Sequence, residues 1–261
     1  MLGLIAGAVL PVAWILGLGF VLKRYFGIDD VVWRGLEKIS YWVLMPSLLV
    51  AVIIQAPVLT IPWFPLLGSL YGTLAILTLL LLIGWWAKLF GASYAAFTSV
   101  YQGVIRFNTF ISLALMAGIR PELLPHLGIS AATIIVVINI ACVSVMSANR
   151  PGFALGHVLR ELAKNPLILA CVLGGIGRYL GVPDEFPVSG MALVGQAALP
   201  MGVLCLGAGL QWSAVRAGIG LTSFTVMMQL VAKPVLFFIL ARFLGLQDDW
   251  LLVGVLLIFK I

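Results

Sequence analysis

Arg106 stands in the middle of a long apolar stretch, in the run Tyr101-Gln102-Gly103-Val104-Ile105-Arg106-Phe107-Asn108-Thr109-Phe110. A cation near a bilayer midplane is costly, and it usually faces a polar cavity or a partner. Gln102, Arg106, Asn108 and Thr109 form the most polar cluster inside any apolar segment. A break in the helix here would free backbone amides and carbonyls, which are tolerated at membrane depth only where they line a cavity or are buried in protein. An arginine beside such groups suits a carboxylate, which accepts two parallel hydrogen bonds from the guanidinium fork. The competing reading gives the guanidinium to carbonyls of a neighbouring helix, with a purely structural role.

Other polar residues admit two readings each. Pro46 and Pro200 each remove a helical hydrogen bond, producing either an ordinary kink or a helix shaped around a site. Lys233, followed by Pro234, offers a second charge to an anion, or else snorkels to the interface or has a structural role. Asn139 and Gln196 are mid-span amides for which hydrogen bonding between helices is the default and a ligand role the alternative. Ser47, beside Pro46, is expected to bond its own backbone. His126 and His157 are expected in solvated loops. Cys142, Cys171 and Cys205 lie in apolar stretches without metal-ligand spacing and read as small buried hydrophobes. Gly174, Gly175 and Gly177, with Gly207 and Gly209, read as close helix contacts.

The elements that must position these residues are membrane helices. The chain of 261 residues is 63% hydrophobic and 9% charged, with a mean hydropathy of +1.19; soluble domains carry about 25% charged residues. The fold class is therefore all-α and polytopic. Predicted spans are Gly3–Leu22, Leu36–Ala56, Trp63–Trp86, Ser93–Gly118, Gly128–Ser147, Asn165–Val182, Ser189–Trp212 and Gly218–Phe243. Part of a ninth starts near Asp249, and the run to Ile261 is too short to cross a core of about 30 Å, so a C-terminally truncated chain is expected. Loops after odd-numbered spans hold nine Lys and Arg residues, those after even-numbered spans three. The excess marks the cytoplasmic side and puts the N-terminus outside. The net charge of +6 flanks spans, which favours contact with membrane lipids over nucleic acid. The interior of the spans has no Asp or Glu, against a carboxylate proton relay or cation channel. Nucleophile triads, phosphate loops and haem ligand pairs are missing too, so no enzyme is expected.

A shift of 154 residues lays Arg24-Tyr25-Phe26-Gly27 on Arg178-Tyr179-Leu180-Gly181 and Met45-Pro46 on Leu199-Pro200. The shift equals five spans, so the second copy enters the membrane from the opposite side. This is the inverted repeat of secondary transporters, with broken helices at a midplane site. The expected division is 1–148 for the first five-helix repeat, with a crossover near 106–108. A cytoplasmic loop follows over 149–164, and the incomplete second repeat covers 165–261.

Four stretches resemble the auxin efflux carrier family in its bacterial branch. They are Val21 to Leu49, Gln102 to Phe110 with its Arg-x-Asn pattern, Lys164-Asn165-Pro166-Leu167-Ile168-Leu169, and Gly195 to Leu210. The resemblance implies ten helices in two inverted repeats. The first two helices of each repeat would form a scaffold domain, and the others a transport domain with crossing broken helices. It implies carriage of organic anions, such as auxin in plants and dicarboxylates in bacteria, with no tightly bound cofactor; Na+ or H+ is left as coupling ion. Carried over, Arg106 and Asn108 face the substrate. The expected protein is a secondary active transporter of a small organic anion in the bacterial cytoplasmic (inner) membrane, with a homodimer allowed for. The alternative is a non-transporting helical scaffold or an inactive truncated carrier.

Overall fold

The computed structural model describes residues 2–56, 60–89, 93–148, 156, 159–160, 163–185, 187–210, 219–246 and 248–258. All regular structure among them is helical. The helices are α1 (Leu2–Tyr25), α2 (Asp30–Gln55), α3 (Trp63–Trp86), α4 (Tyr94–Ile105), α5 (Thr109–Ile119), α6 (Leu124–Ser147), α7 (Pro166–Tyr179), α8 (Val188–Ala208), α9 (Ile219–Phe243) and α10 (Asp248–Ile258). Six helices among the described residues are long and apolar enough to cross a membrane, counting Tyr94–Ile119 as one interrupted stretch; α7 and α10 are shorter apolar helices. The predicted loop 149–164 lies largely outside the described residues. So do His157, Arg216 and the end of the seventh predicted span at Trp212.

Helix ends follow local chemistry. Asn165 caps α7, its Oδ1 accepting from the amides of Leu167 (2.9 Å) and Ile168 (3.4 Å). Gly181 closes the same helix at φ +66°, which lets the Val182 amide reach back to the Gly177 carbonyl at 3.0 Å. His126 is not in a loop, as the sequence suggested, but in the first turn of α6, where Pro125 is tolerated because amides of a first turn need no helical partner. Helix α2 starts at Asp30, ahead of the predicted Leu36, because the charged segment Asp30–Lys38 continues as an amphipathic helix.

Three spans deform just before a proline. Wide π-type turns occupy Ser40–Leu44 ahead of Pro46 and Met228–Ala232 ahead of Pro234. Helix α8 is interrupted at Ala197, ahead of Pro200. In each case the deformed turn contains or adjoins the residue four positions before the proline, whose carbonyl meets the ring and loses its amide donor. Ser47 Oγ donates to the Val43 carbonyl at 2.8 Å, within its own helix.

The chain divides into two compact units. The first comprises Met1–Thr60, Thr109–Thr133 and Lys164–Gln211. Within it α1 packs along the second half of α8, and the second half of α2 packs on α7 and on the start of α8. Trp33, Cys205 and Ala208 are buried together, with Leu22, Ile28, Leu36 and Leu204 around them. Glycines allow these contacts: a Cβ on Gly207 would lie 2.0 Å from the Leu16 carbonyl oxygen, and one on Gly19 would lie 2.1 Å from that of Leu204. Gly174 and Gly177 pack in the same way on Ile53 and Ile54, whereas Gly175 has open space.

The second unit comprises Ile61–Asn108, Ile134–Ala163 and Trp212–Ile261. Here α3 packs on α4, α9 and α10, and α4 packs on the first half of α9. Trp85 stacks on Phe97 at 5.1 Å between ring centroids, and the hydroxyls of Thr78 and Tyr101 are 3.2 Å apart. Phe237 fills the space over Gly254, where a Cβ would lie 2.1 Å from its ring.

Because the atoms facing Gly207 are backbone, a side chain there cannot be accommodated by rotamer change. Gly207→Val is expected to lower the melting temperature in detergent by several degrees, an overpacking cost of roughly 1–3 kcal/mol or more. Gly175→Ala should leave it unchanged. Thermal unfolding followed by tryptophan fluorescence checks both.

Candidate functional site

The apolar stretch Tyr94–Ile119 does not form one helix. It stops at Ile105 and restarts at Thr109, with Arg106, Phe107 and Asn108 outside helical structure. Arg106 itself is extended, at φ −65° and ψ 154°. No proline causes this break. Gly103 brings Thr225 of α9 against the last turn of α4, where a Cβ would lie 2.4 Å from the threonine methyl.

A helix end leaves its last four carbonyls without helical partners, and at membrane depth each must find a donor. The Gln102 carbonyl accepts the Arg106 amide at 3.1 Å. The next carbonyls fall to two side chains of α9, four residues apart and therefore on one face. Lys233 Nζ donates to Val104 (3.0 Å), Ile105 (3.1 Å) and Arg106 (3.3 Å). An ammonium has three N–H donors, so three carbonyls suit it. In one amide orientation Gln229 Nε2 reaches the carbonyls of Gly103 (3.1 Å) and Val104. In the other it reaches those of Arg106 (3.5 Å) and Ile258 (3.4 Å). The first has the better hydrogen-bond length, and the second is at the margin. Lys233 is fully buried, at 0% exposure, and Gln229 is 4% exposed. The π turn at Met228–Ala232 contains Gln229 and ends just before Lys233, a deformation that occurs often at functional sites.

This arrangement settles where the carbonyls near Arg106 go. They belong to Lys233 and Gln229, and the Arg106 guanidinium is exposed, with no hydrogen-bond or ion-pair partner among the described residues. Lys233 does not snorkel. Gln102 and Asn108 are half-buried beside Arg106, and Asn108 has a polar or electrostatic partner of its own. Asn139 donates from Nδ2 to the Ile135 carbonyl at 2.8 Å, within its own helix. Thr109, Pro46 and Pro200 belong to the first unit; Thr109 opens α5, and the prolines lie in α2 and α8. Gln229 escaped the sequence reading. The signal was there, as a Gln-x-x-x-Lys-Pro pair on an otherwise apolar helix.

The first unit holds a cleft of about 360 Å³ lined by Glu37, Ser40 and Tyr41 of α2, Phe110 of α5, and Gly202, Cys205, Leu206, Gly209 and Leu210. Gly202 makes room for the Phe110 ring, which a Cβ would approach to 2.1 Å. Ser40 Oγ is buried there without a hydrogen-bond partner among the described residues. The mostly apolar walls and few polar groups fit an amphipathic solute, while the Glu37 carboxylate disfavours an anion at that rim.

Lys233→Met would leave two of the three carbonyls without a donor, the third being within reach of Gln229, at roughly 1–3 kcal/mol for each buried group left unsatisfied. Amide hydrogen exchange across residues 97–106 is expected to accelerate at least tenfold, with a smaller increase for Gln229→Leu. Exchange in α1 and α8 should not change.

No curated protein matches the chain. The model of a family described as membrane transport protein matches residues 58–258, from the end of α2 to the end of α10. The match covers most of the chain, including the broken stretch with Arg106 and the helix that carries Lys233. The chain therefore belongs to this membrane transport protein family, that of the auxin efflux carriers.

Proposed function

We propose that the protein is a secondary active transporter that moves a small organic anion, a mono- or dicarboxylate, across the bacterial cytoplasmic membrane. The observation that carries this reading is the state of Arg106. It lies at the break of a membrane helix, its guanidinium is exposed and unpaired among the described residues, and the carbonyls that could have satisfied it are held by Lys233 and Gln229. A free fork of N–H donors beside non-helical backbone is a receptor for a carboxylate. Gln102 and Asn108 stand beside it and supply neutral donors.

Alternating access is the mechanism proposed, with the second unit carrying the solute and the first as the scaffold. Local features support the inverted repeat that such a mechanism uses. Under the shift of 154 residues Gly27 falls on Gly181, and both have φ +66°. The same shift carries α4 onto 248–259, and α10 is Asp248–Ile258. The π turn at Ser40–Leu44 falls on 194–198, where α8 is interrupted. The N-terminus is placed outside by the excess of Lys and Arg after odd-numbered spans.

The test is uptake of a panel of labelled mono- and dicarboxylates into liposomes holding the purified protein. Arg106→Ala is expected to lower uptake by about 10–100-fold, the equivalent of a charge-assisted hydrogen bond of roughly 1.5–3 kcal/mol. Melting temperature should be unchanged, and Arg106→Lys should recover part of the activity. Undiminished uptake by a folded Arg106→Ala protein would refute the assignment. A wild-type protein that moves none of the panel would favour the non-transporting scaffold.

A further inference from the structure

We propose that Lys233 is a built-in replacement for an alkali-metal cation. Its ammonium occupies a cation seat made by the carbonyl oxygens of Val104, Ile105 and Arg106, so that Na+ and K+ have no part to play there. The seat is built as a cation site is built. Three backbone oxygens converge on one buried point at 3.0, 3.1 and 3.3 Å. They sit at the carboxyl end of a helix, which carries a partial negative charge of about half an electron. Backbone carbonyls of this kind replace the hydration shell of Na+ or K+ in transporters and channels. Beside them the Gln229 amide reaches the Gly103 carbonyl in one orientation and the Ile258 carbonyl in the other.

A free ion in this seat could bind and leave, and its binding energy could be coupled to the solute. A tethered ammonium cannot leave. It gives the helix end its counter-charge permanently, in every state of the cycle, and closes this route of cation coupling. The role also separates the two cations at the end of α4: Lys233 is committed to backbone, and Arg106 remains for the solute.

Thermal unfolding of the purified protein in matched sodium, potassium and choline chloride tests the seat without reference to transport. The wild type is expected to melt at the same temperature in all three. Lys233→Ala should melt lower in choline, with a saturable rise of several degrees in Na+ or K+, because removing the ammonium opens the oxygens to an ion. Lys233→Gln, neutral and closer in volume, is read in the same way should the alanine variant not fold. Saturable stabilisation of the wild type by either ion would overturn the proposal. So would folded variants indifferent to both. A second arm rests on the carrier reading: carboxylate uptake into wild-type liposomes should be equal with Na+, K+ or choline outside, and a strict requirement for either ion would overturn the proposal. Absence of uptake in every salt would count against the carrier reading alone, and the thermal arm would still decide the seat.

Discussion

The carboxyl end of α4 lies where water cannot solvate it, and the rest of the site depends on how that end is satisfied. Carbonyls exposed by a broken helix at membrane depth each cost several kcal/mol unless they find a donor. Lys233 and Gln229, one turn apart on α9, provide those donors. The helix can therefore stop at Ile105, and the non-helical residues Arg106 to Asn108 can persist without a proline to enforce them. Because a lysine performs this task, the neighbouring arginine is left without one. Among the described residues Arg106 has no partner, and the proposal that an anion binds there rests on the cost of a cation held in an apolar segment.

Prolines and glycines shape the surrounding helices by the same physical logic. Where a proline ring displaces the carbonyl four residues earlier, the helix widens or breaks, as at Ser40–Leu44, Ala197 and Met228–Ala232. Of these, the turn at Met228–Ala232 holds Gln229 and ends just before Lys233. Glycines act differently. Without a hydrophobic driving force between helices in lipid, close backbone approach provides the packing, and Gly19 with Gly207 does this for α1 and α8. Gly103 does it for α4 and α9, at the turn where the carbonyls must be met.

Much of the fold was legible from one chemical signal, the alternation of long apolar runs with charged or Pro-rich breaks. Trp63–Trp86 was placed to the residue, and α4 and α10 began within one residue of the expected position. Errors came where a helix continues beyond its apolar part. Asp30–Lys38 and the turn holding His126 are helical because caps and first turns tolerate polar residues and proline, which a hydropathy reading takes for loop. The break at Arg106 was expected from the inverted-repeat pattern and from the Arg-x-Asn resemblance. Its cause was not, because the donors come from residues more than 120 positions away in sequence. Lys233 was correctly noticed as out of place, yet no local pattern could tell snorkelling from capping. That distinction depends on which helix faces it.

The most direct test of the central claim is chemical. In the folded protein, reaction of Arg106 with an arginine-specific dicarbonyl reagent can be followed by mass spectrometry, with and without carboxylates. The account predicts ready modification of Arg106 and saturable protection by the organic anion proposed as its solute. An Arg106 that is unreactive in the folded protein, or whose modification no carboxylate slows, would contradict it.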